Sequence, residues 1–206
     1  MKENPILYDL TPVGYLIVQE AEEAMHANEY RQNFGKYFGV DRLPPFITPD
    51  SEIRKLLGEP LVEDLRLRNA LKEWFDAQGD KNAFIANRDK AFRLLESFQS
   101  LGFRLELIYC QIAWQSGEED RLADYAAVEE PPLVVSHTYG FDVSWPTCNH
   151  SAILQPGVVQ QNKPWRERLN EWGLLNYYNE AVRLREEYIL VYPYRPFDIY
   201  LVHKVE

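Results

Sequence analysis

The spacing of apolar side chains along this sequence changes near its middle. Before Gly102, apolar residues recur every three or four positions in several stretches, which is the spacing of an amphipathic helix. After Phe103, they alternate with polar residues or form short continuous runs, as in strands with one or two buried faces. The pattern therefore predicts mostly helices in the first half of the chain and mostly strands in the second.

The first half is predicted to hold one short strand followed by helices. The strand covers Gly14 to Val18, where apolar residues follow a glycine. Four helices are predicted, each with a glycine at or just after its end, and the last three begin at serine, proline or asparagine. They are expected from Glu20 to about Phe34, from Ser51 to Gly58, from Pro60 to Gly79 and from Asn82 to about Leu101.

The second half is predicted to be rich in strands, with short helices starting at Pro164 and Asn176. The strands are expected over 103–114 with a bulge or two buried faces, over 133–145 as two strands or one bent strand, and over 188–192 and 197–205 as a terminal hairpin. His203 falls on the apolar side of the last strand, so we expect a histidine at the edge of the core with a hydrogen-bonded ring.

This segregation predicts an α+β fold in which a helix-rich N-terminal half packs on a mainly antiparallel sheet formed largely by the C-terminal half. With 206 residues, 46% of them apolar, the chain suits one domain over residues 1–206. No internal repeat and no low-complexity tract is visible in the sequence.

The net charge of −10 is concentrated in two segments. Residues 1–30 carry six acids against one lysine, and residues 115–131, which we expect to form an acidic loop, carry six acids against Arg121. This distribution argues against nucleic acid and anionic membranes as partners and favours a basic protein. A purely solubilising role for these acids is an equally open interpretation.

Other features place the chain in a cytoplasmic setting. Uninterrupted apolar runs are short, far below the roughly 20 residues that span a bilayer, and Asp9 interrupts the first of them. The two cysteines are Cys110, in a predicted buried strand, and Cys148, so a disulfide framework is not expected. We expect a cytoplasmic protein without a membrane segment.

The segment from His137 to Ser151 gathers the side chains best suited to chemistry. A hydrolase or transferase could use Cys148 as a nucleophile with His137 or His150 as its base, if the imidazole reaches the sulfur. The competing interpretation is a turn over 146–151 in which Cys148 has no chemical role. One cysteine and two histidines without a known ligand spacing do not identify a metal site, and no sequence signature indicates a cofactor.

The leading functional hypothesis is a small acidic cytoplasmic interaction protein that binds a basic partner, for instance as an inhibitor or a toxin-neutralising, immunity-type protein. The absence of a catalytic signature favours binding over catalysis. The residues expected to contact the partner are the steering acids Glu118, Glu119, Asp120 and Asp124 and the aromatic anchors Trp145 and Tyr194. The alternatives are the Cys148 enzyme and a small-molecule-binding protein with its pocket between helices and sheet. The oligomeric state is left open.

Overall fold

The computed structural model describes residues 6–19, 65–77, 84–102, 105–125, 127–128, 130–132, 134–144, 163–194 and 196–206. In chain order the elements are strand β1 (Asp9–Gln19), helices α1 (Leu65–Ala77) and α2 (Arg88–Ser100), strand β2 (Leu105–Trp114), a 3₁₀ helix (Glu119–Asp124), strand β3 (Val135–Ser144), helices α3 (Lys163–Arg166) and α4 (Tyr178–Val191), and strand β4 (Asp198–Val205).

The four strands form one antiparallel sheet in the order β1-β2-β4-β3. The prediction of an α+β fold with a mainly antiparallel sheet is therefore confirmed, and three of the strands follow residue 102. The helices expected over 20–34 and 51–58 lie outside the described residues, so the helix-rich N-terminal half stays a prediction. The described part of that half contributes β1, α1 and α2.

Helices α2 and α4 pack on the same face of the sheet. Along β2, Leu107 and Tyr109 point to this face and share a buried cluster with α1 and α2. Tyr109 lies opposite His203, so alternate residues of β4 face the same way as far as Leu201. Leu201 pairs with Phe141, whose ring lies 5.9 Å from Tyr178 at the start of α4. Both faces of β2 are buried, as its sequence predicts.

The two halves of the sheet are related by an approximate two-fold axis through the paired residues Cys110 and Val202. In one half, Gly14 pairs with Cys110 immediately after a bulge. In the other half, Gly140 pairs with Val202, again immediately after a bulge. Helices α2 and α4 follow with buried residues 90 positions apart, namely Ala91 and Ala181, Leu94 and Leu184, and Phe98 and Tyr188. The described residues thus contain an internal structural repeat, although no repeat is visible in the sequence.

A short extended segment pairs with each outer strand at equivalent points. Tyr15 exchanges two backbone hydrogen bonds of 2.9 Å with Ile85, next to the β1 bulge. Phe141 likewise exchanges bonds of 2.8 and 3.0 Å with Leu175, next to the β3 bulge. Each segment comes close enough to exclude a side chain at the preceding residue, which is Gly14 or Gly140. Glycine therefore lets these segments satisfy backbone groups that edge strands leave unpaired.

Three local predictions were wrong. The helix expected from Asn82 begins at Arg88, because Phe84 and Ile85 are extended and Asn87 is the N-cap. The residue preceding α4 is Tyr177 and not Asn176. No terminal hairpin exists, since Tyr188 belongs to α4 and β4 pairs with β2 and β3. The continuous apolar run over 188–192 did not distinguish a strand from the end of a buried helix. The segment 135–144 forms one strand containing bulges.

Among the residues that the structure describes, no helix is both long enough and apolar enough to cross a membrane.

Candidate functional site

The acidic segment contains a 3₁₀ helix, Glu119–Asp124, which we call the acidic helix. A turn precedes it, in which Gln115 accepts a backbone hydrogen bond of 3.0 Å from Glu118 through its carbonyl oxygen. The Glu118 carboxylate in turn accepts a 3.0 Å bond from the backbone amide of Gln115. These local bonds make the segment after β2 an ordered structural element, where the sequence predicted only a loop.

The acidic helix is connected to α4 and β4 by a chain of ion pairs, made of Arg185, Glu118, Arg121 and Asp198. Arg185 lies 2.9 Å from the Glu118 carboxylate, which is 3.7 Å from the Nε atom of Arg121. The Nη1 atom of Arg121 lies 3.0 Å from Oδ1 of Asp198 and donates a 2.8 Å bond to the carbonyl of Phe197. Because the Arg185 and Asp198 side chains are at most 9% exposed, this ion-pair chain is shielded from solvent at both ends.

Asp198 occupies an unusually buried position for a carboxylate at the start of a strand. The Tyr125 hydroxyl donates a 2.7 Å hydrogen bond to Asp198 Oδ2 and also contacts the Tyr200 hydroxyl. Burial raises the pKa of Asp198, while the Tyr125 hydrogen bond and the Arg121 charge partly oppose that rise. Asp198 therefore takes up a proton at a higher pH than an exposed aspartate does.

Three large apolar side chains lie exposed near the acidic helix. They are Leu190 and Val191 at the end of α4 and Tyr194 in the following turn, with 83%, 55% and 96% of their surfaces exposed. Tyr194 is three residues before Phe197, whose carbonyl Arg121 contacts directly. This apolar patch therefore lies at the same end of the fold as the acidic helix, and the ion-pair chain links the two.

The six residues predicted to bind a partner differ in their surroundings. Glu118 belongs to the ion-pair chain and is 20% exposed, which suits a positioning role better than steering. Glu119 and Asp120 are exposed. Backbone hydrogen bonds, including one of 2.9 Å from Gly117, lower the pKa of Glu119, so its charge persists in acid. Tyr194 is almost fully exposed. The Asp124 side chain and all of Trp145 lie outside the described residues.

The proposed nucleophile site is described only at His137. This residue lies on the exposed part of β3, with its ring 5.1 Å from Tyr139 and 5.3 Å from Trp172. Cys148 and His150 lie outside the described residues, so their convergence with His137 stays a prediction. In the portion of the chain that is described, no three His, Cys, Asp or Glu side chains are grouped to hold a metal ion.

The last strand bears out the prediction for His203. Its ring is buried and lies between Thr138 Oγ1, 2.9 Å from Nδ1, and Gln111 Oε1, 3.0 Å from Nε2. Burial lowers the pKa of His203, so the neutral ring is favoured. With Gln111 Oε1 as an acceptor, Nε2 carries the proton and Nδ1 accepts from the threonine hydroxyl.

A groove of about 410 Å³ lies at the opposite end of α4 from the apolar patch. Its aromatic floor includes Tyr8, stacked on Tyr178 with 4.2 Å between ring centroids. Arg168 and Arg183 line its sides, and Arg168 lies 3.4 Å from Glu180. The size of the groove is within the range of small-molecule sites, so it is where the small-molecule alternative would apply.

Sequence reasoning missed Arg185, Asp198 and Tyr125. None of them occurs in a recognisable motif, and they are separated by up to 73 residues along the chain. An arginine facing the core from a helix was the one available signal, because buried arginines need a paired acid. That signal names no partner.

Comparison of the chain with models of protein families, with curated proteins and with solved structures found no match in any of the three.

Proposed function

We propose that this chain is an acidic interaction protein that binds a basic protein partner through the acidic helix and the apolar patch. The observation that carries the proposal is the placement of exposed acids and an almost fully exposed tyrosine at one end of the fold. A cytoplasmic location and a role as an inhibitor or toxin-neutralising protein belong to the same proposal.

The two parts of this surface have different physical roles. Glu119 and Asp120 are solvent-exposed charges, so their main effect is long-range attraction, which raises the association rate and weakens with salt. Tyr194 and Leu190 offer apolar area that is already outside the core, and burying it against a partner is favourable. Tyrosine is enriched among the residues that dominate binding energies at protein interfaces.

Neutralising the exposed acids tests the electrostatic part. The full-length chain is immobilised and exposed to native lysate of its source cells at about 0.05 M and about 0.5 M salt, which changes screening severalfold. We expect a basic protein to be retained at low salt and to be lost from E119Q/D120N. The control E73Q/D76N removes the same charge from exposed positions on α1 and should retain it. Retention that ignores both salt and E119Q/D120N contradicts the proposal.

Truncating the exposed tyrosine tests the apolar part. Once the retained protein is identified, its affinity is measured for Y194A and for the control Y177A, which truncates a tyrosine that is 68% exposed at the far end of α4. We expect Y194A to weaken binding at least about tenfold, the effect of a residue worth more than about 1.4 kcal/mol at an interface. Equal affinities of the two variants would remove Tyr194 from the contact surface.

The enzyme alternative keeps its own test. If Cys148 is a nucleophile, a thiol-reactive probe should label it faster than an ordinary cysteine, and H137A or H150A should slow that labelling. The buried Cys110 should contribute little to labelling of the folded protein. The comparison of C148A with C110A identifies which cysteine reacts.

A further inference from the structure

We infer that the ion-pair chain of Arg185, Glu118, Arg121 and Asp198 positions the acidic helix beside the apolar patch, and that proton uptake by Asp198 loosens this arrangement. The inference rests on the proposed function where it concerns partner binding, because it describes how that surface is held together. Its structural part concerns the acidic helix alone and stands independently of any partner.

The geometry gives Arg121 a central position. It is the basic residue of the acidic helix, and one guanidinium contacts Glu118 before the helix, the Phe197 carbonyl and the Asp198 carboxylate. Arg185 contacts the same Glu118 oxygen from α4, the helix that ends in the apolar patch. The helix is therefore joined both to β4 and to α4 through charged side chains, while its own backbone makes short 3₁₀ bonds of limited stability.

Asp198 is the member of the ion-pair chain whose pKa is raised by burial, so it takes up a proton at a higher pH than an exposed aspartate does. Arg121 faces it from the acidic helix, Tyr125 from the segment that follows, and Tyr200 from β4. Arg185 of α4 adds a more distant positive charge. Ser144 of β3 lies opposite it in register and has no charge. Arginine does not titrate in the accessible range, so protonation of Asp198 removes the nearer of the two carboxylate charges that face Arg121 and leaves Glu118, 3.7 Å from its Nε atom.

The sign of the pH dependence distinguishes local loosening around Asp198 from acid unfolding of the whole chain. The folded-state pKa of Asp198 lies above its unfolded value, so its protonated form is the one that favours folding. Its contribution to global stability is present below the unfolded pKa and is lost as pH rises through the folded pKa. Lowering the pH through the folded-state pKa of Asp198 therefore weakens the contact between Asp198 and Arg121. Protonation of Asp198 does not itself lower the free energy of unfolding of the whole chain. Glu119, whose pKa is lowered, keeps its steering charge over the same change.

Hydrogen exchange of the full-length chain, expressed as protection factors, tests the inference directly. Because the pKa of Asp198 lies above 3.8, the ordinary aspartate value, this group is more than half protonated at pH 3.8. Between pH 7.5 and pH 3.8 we expect protection of residues 118–125 to fall about tenfold or more, while protection in α2 stays within about twofold. In D198N, which mimics the protonated carboxyl, protection at pH 7.5 should already be low and should stop depending on pH. In D198E, which restores an ionisable carboxylate, part of the pH dependence should return.

One control variant and two contrary outcomes complete the test. E73Q removes an exposed acid from α1 and should leave both protection and its pH dependence unchanged. Wild-type protection of residues 118–125 that is constant with pH overturns the inference, with no variant needed. Protection that falls equally in D198N and wild type shows that another group titrates, and also overturns it.

The partner readout distinguishes this inference from the proposed function. If a partner binds with affinity that falls, between the same two pH values, about tenfold further in wild type than in D198N, both stand. Binding that is salt-sensitive yet independent of Asp198 rejects only the coupling to the ion-pair chain. Loss of protection at low pH in a chain that retains no basic protein rejects only the proposed function.

Discussion

Substituting Gly140 by alanine is expected to be among the most destabilising single-methyl changes in this fold. Gly140 has φ of +129°, and an added Cβ would lie 2.6 Å from the Leu175 carbonyl oxygen and 3.0 Å from Nδ2 of Asn170. The oxygen belongs to backbone that pairs with Phe141, so it cannot move away as a flexible side chain would. The methyl group therefore forces the paired segment away from β3.

The magnitude follows from two contributions. A left-handed backbone conformation costs a residue other than glycine roughly 1–3 kcal/mol. Weakening the two Phe141 hydrogen bonds to Leu175, 2.8 and 3.0 Å long, adds roughly 0.5–1.5 kcal/mol for each. We therefore expect G140A to lower the free energy of unfolding by roughly 2–6 kcal/mol, a large part of the stability of an ordinary domain.

Equilibrium urea unfolding of G140A measures the change in the free energy of unfolding. The same measurement on G102A separates the conformational cost from the cost of the contact with the paired segment. Gly102 has φ of +93°, but an added Cβ there meets nothing within 4 Å. G102A should thus lose only the conformational part, roughly 1–3 kcal/mol. The difference between the variants, roughly 1–3 kcal/mol, is the cost of the contact with the paired segment. A loss in G140A no larger than in G102A would refute the close approach of Leu175 to β3.

The remaining predictions concern equivalent positions and one buried histidine. G14A should resemble G140A in urea unfolding, because its Cβ would lie 2.8 Å from the Ile85 carbonyl oxygen; a loss like that of G102A would contradict the two-fold relation of the halves. At the start of α2, N87A should lower the free energy of unfolding by about 1 kcal/mol, because it removes the 2.8 Å hydrogen bond that Asn87 accepts from the Lys90 amide. At the start of α4, Y177N should raise the free energy of unfolding by up to about 1 kcal/mol, because Tyr177 provides no side-chain cap. Thermal unfolding of the two variants checks both signs. The folded-state pKa of His203 is depressed, so the contribution of its neutral ring to the free energy of unfolding is present above the unfolded pKa and is lost as pH falls through the folded pKa. The Tm of the wild type should therefore fall more than the Tm of H203Q between pH 8 and pH 5. Equal falls in the two proteins would contradict a buried neutral ring.

Local pattern predicted the elements whose periodicity was unambiguous. Alternation over Leu105 to Tyr109 and the apolar run after Gly14 predicted two strands, which pair with each other in the structure, and helical spacing predicted α1 and α2. Where the pattern was ambiguous, the environment decided. Tyr188 opens a short apolar run that suits either a strand or the end of a buried helix, and in the structure it belongs to α4, with its ring 5.3 Å from that of Phe197.

The sequence by itself determined that acids are concentrated in residues 1–30 and 115–131 and that aromatic residues are frequent near the C-terminus. Only the tertiary structure decided that Glu118 pairs with Arg185, that Arg121 pairs with Asp198, and that Tyr194 is exposed while Tyr188 is buried. Alternation and helical spacing act between neighbours in the chain, so a sequence records them locally. Ion pairs and strand registers join residues tens of positions apart, and they form because burying a charge or a backbone group without a partner costs more than the fold can offset.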